Sequence, residues 1–408
     1  MDKSASAGRA GKDIRSDCRI EIAIREGGGI DLQVKSKVDV LYGADIRALI
    51  LEGLAFYEIA NATVVVDDSG ALPYTIAARL EAAVKRLAPS VQKAFLLPAD
   101  RTWDRPPSAR DRLRRSRLYL PGNDPKLAIN AGIHRPDGVI LDLEDSVAPA
   151  EKDAARILVR NTLRHVDFGD AERMVRINQL PAGYDDLSEV IPERPDVILL
   201  PKCESARQVQ DVDEAIAGIQ RTCGVDGPVY LMPIIESAMG ALKAWEIAVA
   251  SPNVVALAVG LEDYTADIGA ERTKEGRESF WMRGMVVNAA RAAGVQPIDT
   301  VFSDVDDLEG LRASAREARA LGFDGKGCIH PRQIAVVHEA FLPDEREIER
   351  AKKIVLAFEE AERKGLGVVA IGSKMIDAPV VKRALRTIGL ACSAGLIPET
   401  WREEQSNG

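Results

Sequence analysis

Between residues 115 and 331, eight short apolar runs alternate with amphipathic helical stretches, and this alternation limits the possible folds more than any other feature. The runs are RSRLYLPG (115–122), GVILDLED (138–145), RMVRIN (173–178), VILLPK (197–202), VYLMPIIE (229–236), VVALAVGLED (254–263), QPIDTVFS (296–303) and DGKGCIHP (324–331). Their cores are continuously apolar rather than alternating, the pattern of parallel strands covered by helices on both faces. Eight such units, within a segment of about 270 residues from 115 to 385, predict an α/β fold, a (β/α)8 barrel. A doubly wound open sheet is the structural alternative.

Nearly every run ends in a polar side chain: Asp142, Glu144, Asp145, Arg176, Asn178, Lys202, Glu236, Asp263, Asp299 or His330. In a barrel the strand C-termini face the active site, so these groups are expected to converge. Any one alone reads as a helix cap or loop ion pair; ten together point to a site. Acids outnumber bases among them, and crowded carboxylates repel unless a cation neutralises them. Carboxylate oxygens without a His or Cys cluster favour Mg2+ or Mn2+ over Zn2+. None of the histidines at 134, 165, 330 and 338 has metal-ligand spacing, and His330 is expected to be structural. Lys202 raises a Schiff-base aldolase, but in an acid-rich mouth it reads better as an ion-pair partner.

The first ninety residues follow another pattern. Alternating strands are predicted at 18–24, 30–36 and 62–68, with helices at 43–58 and 75–87, giving a small α+β unit over 1–95. Residues 96–114, dense in proline and charge, read as a linker. The barrel is assigned to 115–343, and a helical lid segment to 344–408, starting with a charged helix near 344–364. A formal charge of −9 argues against nucleic acid, which demands a basic footprint. No apolar run approaches the ~20 residues of a membrane helix. The polar N-terminus lacks the apolar core of a secretory signal, so a frayed tail and a cytoplasmic protein are expected. Five scattered cysteines without CxxC spacing predict reduced thiols.

The barrel segment, roughly 115–385, resembles the citrate lyase beta subunit and its relatives, the malyl-CoA and citramalyl-CoA lyases (HpcH/HpaI aldolase-like). The motifs that carry the likeness are RRSRLYLPGNDPK, VILDLEDSV, VRIN, LPKCE, IIESAMG, GLEDYTADIG, GKGCIHPRQ and KMIDAPV, in that order. The resemblance implies a Mg2+-dependent carbon–carbon lyase acting on a 3-hydroxyacyl-CoA thioester and yielding acetyl-CoA and a 2-oxo acid. It places metal ligands at Glu236 and Asp263, and a substrate arginine at Arg176. Thioester or CoA contacts fall at Tyr119 and Lys126. The catalytic carboxylate, lent by a neighbouring subunit's C-terminal lid, falls at Asp377, which implies a homo-oligomer, trimer or hexamer. Without the family, Asp377 reads as the cap of a helix starting at Ala378. Glu144 and Asp145 are then expected to hold metal-bound waters or to orient Arg176 and Lys202, with Asp142 structural.

Residues 10–90 resemble the acyl carrier (gamma) subunit of citrate lyase. In that family a serine of the segment AGTLESSD carries a phosphopantetheine-type group. Here AGKDIRSD places Arg15 at that serine and Ser16 at its unmodified neighbour, so a carrier-like domain without its arm is expected, serving assembly or lid support, with modification at Ser16 as the alternative. Alternatives to a lyase on free CoA thioesters are a malyl-CoA-type thioesterase, a subunit acting on a carrier-bound citryl thioester or docking without catalysis, and a CoA-independent class II aldolase. Malyl, methylmalyl, citramalyl and citryl groups are not distinguished by sequence.

Overall fold

The computed structural model describes residues 3–99, 107–365, 368–371 and 374–404. Residues 100–106 of the expected linker and Gly372 and Ser373 of the C-terminal motif lie outside the described residues.

The N-terminal unit is a four-stranded sheet, β1 (Ser4–Gly8), β2 (Cys18–Ile24), β3 (Ile30–Ser36) and β4 (Ala62–Asp68), in the order β1-β2-β4-β3. Two helices, α1 (Asp39–Phe56) and α2 (Pro73–Leu87), cover one face. Strand alternation directs Ile20, Ile22, Val64 and Val66 into a core shared with Ile50, Leu54, Ile76 and Leu80. β1 corrects the expected frayed tail: it pairs antiparallel with β2 along its whole length, Ser4 opposite Ala23 and Gly8 opposite Arg19. Its residues have little strand propensity, and it is the open edge of β2 that orders them. Gly8 leaves the strand at φ +88, where the Cys18 carbonyl lies too close for a Cβ. α1 starts four residues before the expected helix, at Asp39.

α2 joins the two halves of the molecule. Twelve of its fifteen residues are buried, so it has no solvent face; it lies between the small sheet and the barrel helix Lys152–His165. Across this seam Arg160 makes two bonds to Glu81, 2.8 and 2.9 Å, and Asn161 donates to the Tyr74 carbonyl at 3.0 Å. Residues 107–114 are tied to the barrel base: Arg112 donates to the Asp170 carbonyl (2.8 Å), and buried Arg114 pairs with buried Glu172 (2.8 Å).

The barrel closes as expected from eight parallel strands: β5 (Ser116–Pro121), β6 (Gly138–Asp142), β7 (Glu172–Arg176), β8 (Val197–Leu200), β9 (Tyr230–Ile235), β10 (Ala256–Val259), β11 (Gln296–Asp299) and β12 (Gly325–Cys328). β12 returns to β5 with Cys328 opposite Leu118. Alternate residues, among them Ile140, Met174, Leu199, Met232, Ile234 and Ile298, fill the interior; the others meet the helices. The strands are shorter than the sequence runs because the polar ends beyond Asp142, Arg176 and Asp299 are loops or helix starts. Asp263 in particular is on no strand: it stands in the first turn of a helix, Leu261–Asp267.

After the barrel come helix Glu345–Arg363, opened by a capping box between Asp344 and Glu347, and helix Ala378–Ser393. Between them is a hairpin that the sequence reading lacked, β13 (Val369–Ile371) paired with β14 (Lys374–Ile376). The two helices share a core of Ile354, Val355, Ile388 and Trp401. Helix Ala378–Ser393 reaches the barrel base, where Arg386 bonds Asp324 just ahead of β12.

Candidate active site

The C-terminal ends of the strands enclose a cavity of about 460 Å3 lined by Tyr119, Asp142, Asp145, Arg176, Glu236 and Asp263, among others. One wall is built around Asp142, the last residue of β6. Its carboxylate accepts from the backbone N–H of Glu144 (3.0 Å) and Ser146 (3.2 Å), which folds LEDS into a tight turn. It also takes both arms of the Arg176 guanidinium, Nε at 2.6 Å and Nη2 at 2.7 Å. Burial works to raise the Asp142 pKa, but Arg176 outweighs it and holds the carboxyl below its ordinary value. Arg176 stands above its ordinary value despite burial for the reciprocal reason. The guanidinium lies 5.5 Å from the Tyr119 ring centroid, in cation–π range. Its Nη1 is 2.9 Å from Glu144 Oε2 without hydrogen-bond alignment, leaving that buried oxygen without a donor among the described residues.

The opposite wall carries Glu236 and Asp263. Glu236 follows β9, is 4% exposed, and accepts from the Lys202 backbone N–H at 2.6 Å. Gly260 gives it room, because a Cβ there would come within 2.8 Å of the Glu236 Cβ. Lys202, at φ +47, sits between the walls, with Nζ 3.2 Å from Glu144, 3.8 Å from Asp145 and 3.5 Å from Asp263. Burial works to lower the Lys202 pKa, but these acids more than offset it and keep the amine protonated. Lys202 is thus an ion-pair partner, and a Schiff base has no support here.

The donor set fits a hard divalent cation. Burial, with Glu144 and Asp263 nearby, pushes the Glu236 carboxyl up to about 8, so a positive charge is needed to keep it ionised at neutral pH. No group of three or more His, Cys, Asp or Glu is gathered for a metal among the described residues. Two carboxylates with the remaining positions left to water and substrate is the arrangement of Mg2+, not of a closed zinc site.

Two of the ten expected strand-end groups lie off the cavity: Asn178 binds Asp186 at 2.8 Å and Lys152, and His330 Nδ1 accepts from the Arg332 N–H at 3.1 Å, a structural role. Asp299 lines the cavity, but its carboxylate is held by Lys326 at 2.8 Å and by Arg283. Lys126 is exposed on the short helix Pro125–Ile129 and is not a lining residue. Asp377 is absent from this chain's mouth too: it caps helix Ala378–Ser393, accepting from the Val380 N–H at 3.3 Å. Sequence reasoning missed Arg117, buried inside the barrel with Nη1 3.1 Å from Met232 Sδ. Its signal was parity, since Arg117 and Tyr119 share the inward face of β5. It also missed Lys152, whose ammonium clamps the Leu143 (3.1 Å) and Glu144 (2.9 Å) carbonyls.

A closed barrel with acids, an arginine fork and a lysine at its mouth defines a TIM-barrel enzyme of the metal-assisted aldolase and lyase kind. Residues 115–331 match the family HpcH/HpaI aldolase/citrate lyase, and residues 3–87 match the acyl carrier family described as Malonate decarboxylase delta subunit (MdcD). Citrate lyase subunit beta of Haemophilus influenzae is 44% identical over 276 residues, covering 67% of this chain and 95% of that protein. The mitochondrial citramalyl-CoA lyase of Homo sapiens is 37% identical over 69% of this chain and 86% of its own. The structure of protein CitE from Mycobacterium tuberculosis in complex with magnesium, acetoacetate and coenzyme A matches at TM-score 0.55 and 33% identity, covering 69% of this chain and all of that one. The chain belongs to the HpcH/HpaI aldolase/citrate lyase family and is a carbon–carbon lyase.

Proposed function

We propose that this chain cleaves, or in reverse condenses, a 3-hydroxyacyl-CoA thioester of the malyl, citramalyl or citryl kind, forming acetyl-CoA and a 2-oxo acid. The observation that carries this reading is the mouth cavity, with the Arg176 fork on one wall and the Glu236–Asp263 pair on the other. Glu236 and Asp263 would hold Mg2+, or Mn2+. The ion supplies Lewis acidity to substrate oxygens. Arg176, fixed by Asp142, orients a carboxylate or holds charge developing on an oxygen. Glu144, Asp145 and Lys202 keep that wall in register. Tyr119, on the cavity wall, is assigned the thioester, and Lys126, outside the cavity, the outer part of the CoA. In the cleavage direction the hydroxyl loses its proton, the carbon–carbon bond breaks with its electron pair moving onto the thioester enolate, and the α-carbon takes up a proton.

Asp377 is assigned that last proton transfer at the mouth of another subunit. Its absence from this chain's own mouth supports the assignment. So do Leu242, Trp245, Phe280 and Trp281, each more than half exposed on adjoining helices, an apolar surface suited to a homo-oligomer. We read residues 1–95 as a carrier-like domain without its arm, 96–114 as its connection, 115–343 as the lyase barrel and 344–408 as the segment shared between subunits. The docked seam at α2 supports free CoA thioesters over a swinging carrier. Among the described residues no helix is long and apolar enough to cross a membrane, which agrees with a cytoplasmic enzyme.

The test is to incubate the purified chain and Mg2+ with malyl-CoA, citramalyl-CoA and citryl-CoA. Acetyl-CoA and a 2-oxo acid in equal amounts are expected from at least one of them. Free CoA without a 2-oxo acid would instead establish a thioesterase.

A further inference from the structure

A second cavity, about 570 Å3, opens at the other end of the barrel, between helix Ala378–Ser393 and the starts of β5, β11 and β12. Five arginines line it, Arg114, Arg291, Arg319, Arg383 and Arg386, against one lining acid, Asp324. This is contrary to the chain as a whole, whose formal charge is −9.

The arginines are incompletely matched. Arg114 is paired with Glu172, and Arg319 with Glu347 at 3.0 Å. Arg291 and Arg386 converge on one oxygen, Asp324 Oδ1, at 2.7 and 2.6 Å, so a single charge serves two guanidiniums. Arg383 has no acidic partner among the described residues. Three acids therefore face five arginines, an excess of about two positive charges held within one concave space, where like charges repel unless an anion enters.

We infer that this cavity is a binding site for a small polyanion carrying carboxylate or phosphate groups, held by Arg291, Arg383 and Arg386 between the C-terminal helix and the barrel base. Guanidinium forks suit both anions, which they engage through paired N–H donors. Arg383 and Arg386 lie one turn apart on the outer helix, and Arg291 faces them from the barrel helix Arg277–Ala293, so one ligand bridges the two bodies. Because these guanidiniums are partly solvated, binding weakens as salt rises.

The test is isothermal titration of the full-length, magnesium-free protein at low ionic strength with tricarballylate and, separately, inorganic pyrophosphate. One equivalent of at least one probe is expected to bind, equally well to wild type and to Arg176→Gln, which alters only the mouth. Affinity is expected to fall roughly tenfold or more in Arg383→Gln and in Arg386→Gln. Binding of tricarballylate alone makes the ligand a carboxylate, and of pyrophosphate alone a phosphate. Both arginines are exposed, so the variants should keep the wild-type melting temperature without anion. Binding of neither probe overturns the inference, as does affinity unchanged in Arg383→Gln, or lost in Arg176→Gln.

Discussion

Arg176 is aimed by Asp142 before any substrate arrives: two short bonds fix the plane of its guanidinium, and the Tyr119 ring backs it. An ammonium at the same position keeps the charge but cannot make the paired contact. Arg176→Lys is therefore predicted to fold normally and to lower kcat by ~10²–10³, the loss typical of one donor removed from developing oxyanion charge. Steady-state kinetics with the best acyl-CoA checks this; a change within threefold would remove Arg176 from the chemistry. At this scale the sequence was partly legible. Acids at strand ends marked the mouth, yet nothing in VILDLEDSV says that Asp142 spends its charge on Arg176, because that pairing joins two strands. Asp377 was ambiguous for a chemical reason, since a carboxylate that caps a helix and one that moves a proton are the same residue in the same local sequence.

Among the elements, α2 is the one on which both halves depend. Glu81 is buried at its centre and bonded to Arg160; burial works to raise its pKa, but Arg160 and Lys85 outweigh it and the carboxyl stands below its ordinary 4.5. A depressed acid contributes stability that is fully present above the unfolded value and is lost as pH falls through the folded one. Amide protection factors in α2 and in helix Lys152–His165, with the intrinsic pH dependence of exchange divided out, are thus predicted to hold near neutrality and to fall together below about pH 4.5. Glu81→Ala removes the paired contact but leaves Arg160 its bonds to Glu189 (2.6 Å) and Asn161, and is predicted to cost ~1–3 kcal/mol in chemical denaturation. The other informative element is helix Ala378–Ser393, where two substitutions separate the roles of Asp377. Asn caps as well as Asp, so Asp377→Asn should match wild type in stability and CoA binding and lose turnover, whereas Asp377→Ala should also lose ~1 kcal/mol. Full activity in Asp377→Asn would reduce the residue to a cap. The long helices were readable from periodicity, but β1 was not, because its small residues acquire strand structure only from a neighbouring edge, and neither was the β13–β14 hairpin, whose strands are only three residues long.

For the whole molecule, the barrel was legible because buried parallel strands leave continuous apolar runs, a signal that survives without knowledge of contacts. How the carrier-like unit docks was not, since the seam rests on Glu81, Arg160 and Asn161, polar residues that read as solvent-facing until both helices are placed. The proposed sharing of active sites between subunits gives a prediction at this scale. Asp263→Ala chains keep Asp377, and Asp377→Asn chains keep the metal pair, so unfolding and refolding the two inactive variants together should restore activity. Random assembly pairs an intact mouth with an intact Asp377 in about a quarter of sites; mixtures as inactive as their components would place the whole site within one chain. The central claim is that a carbon–carbon bond breaks toward the thioester and its α-carbon is then protonated. Turnover of the best acyl-CoA in D2O, followed by mass spectrometry, addresses both steps in one spectrum: the predicted result is acetyl-CoA carrying one deuterium in its methyl group alongside an equivalent of 2-oxo acid, and free CoA with an unlabelled hydroxy acid would contradict it.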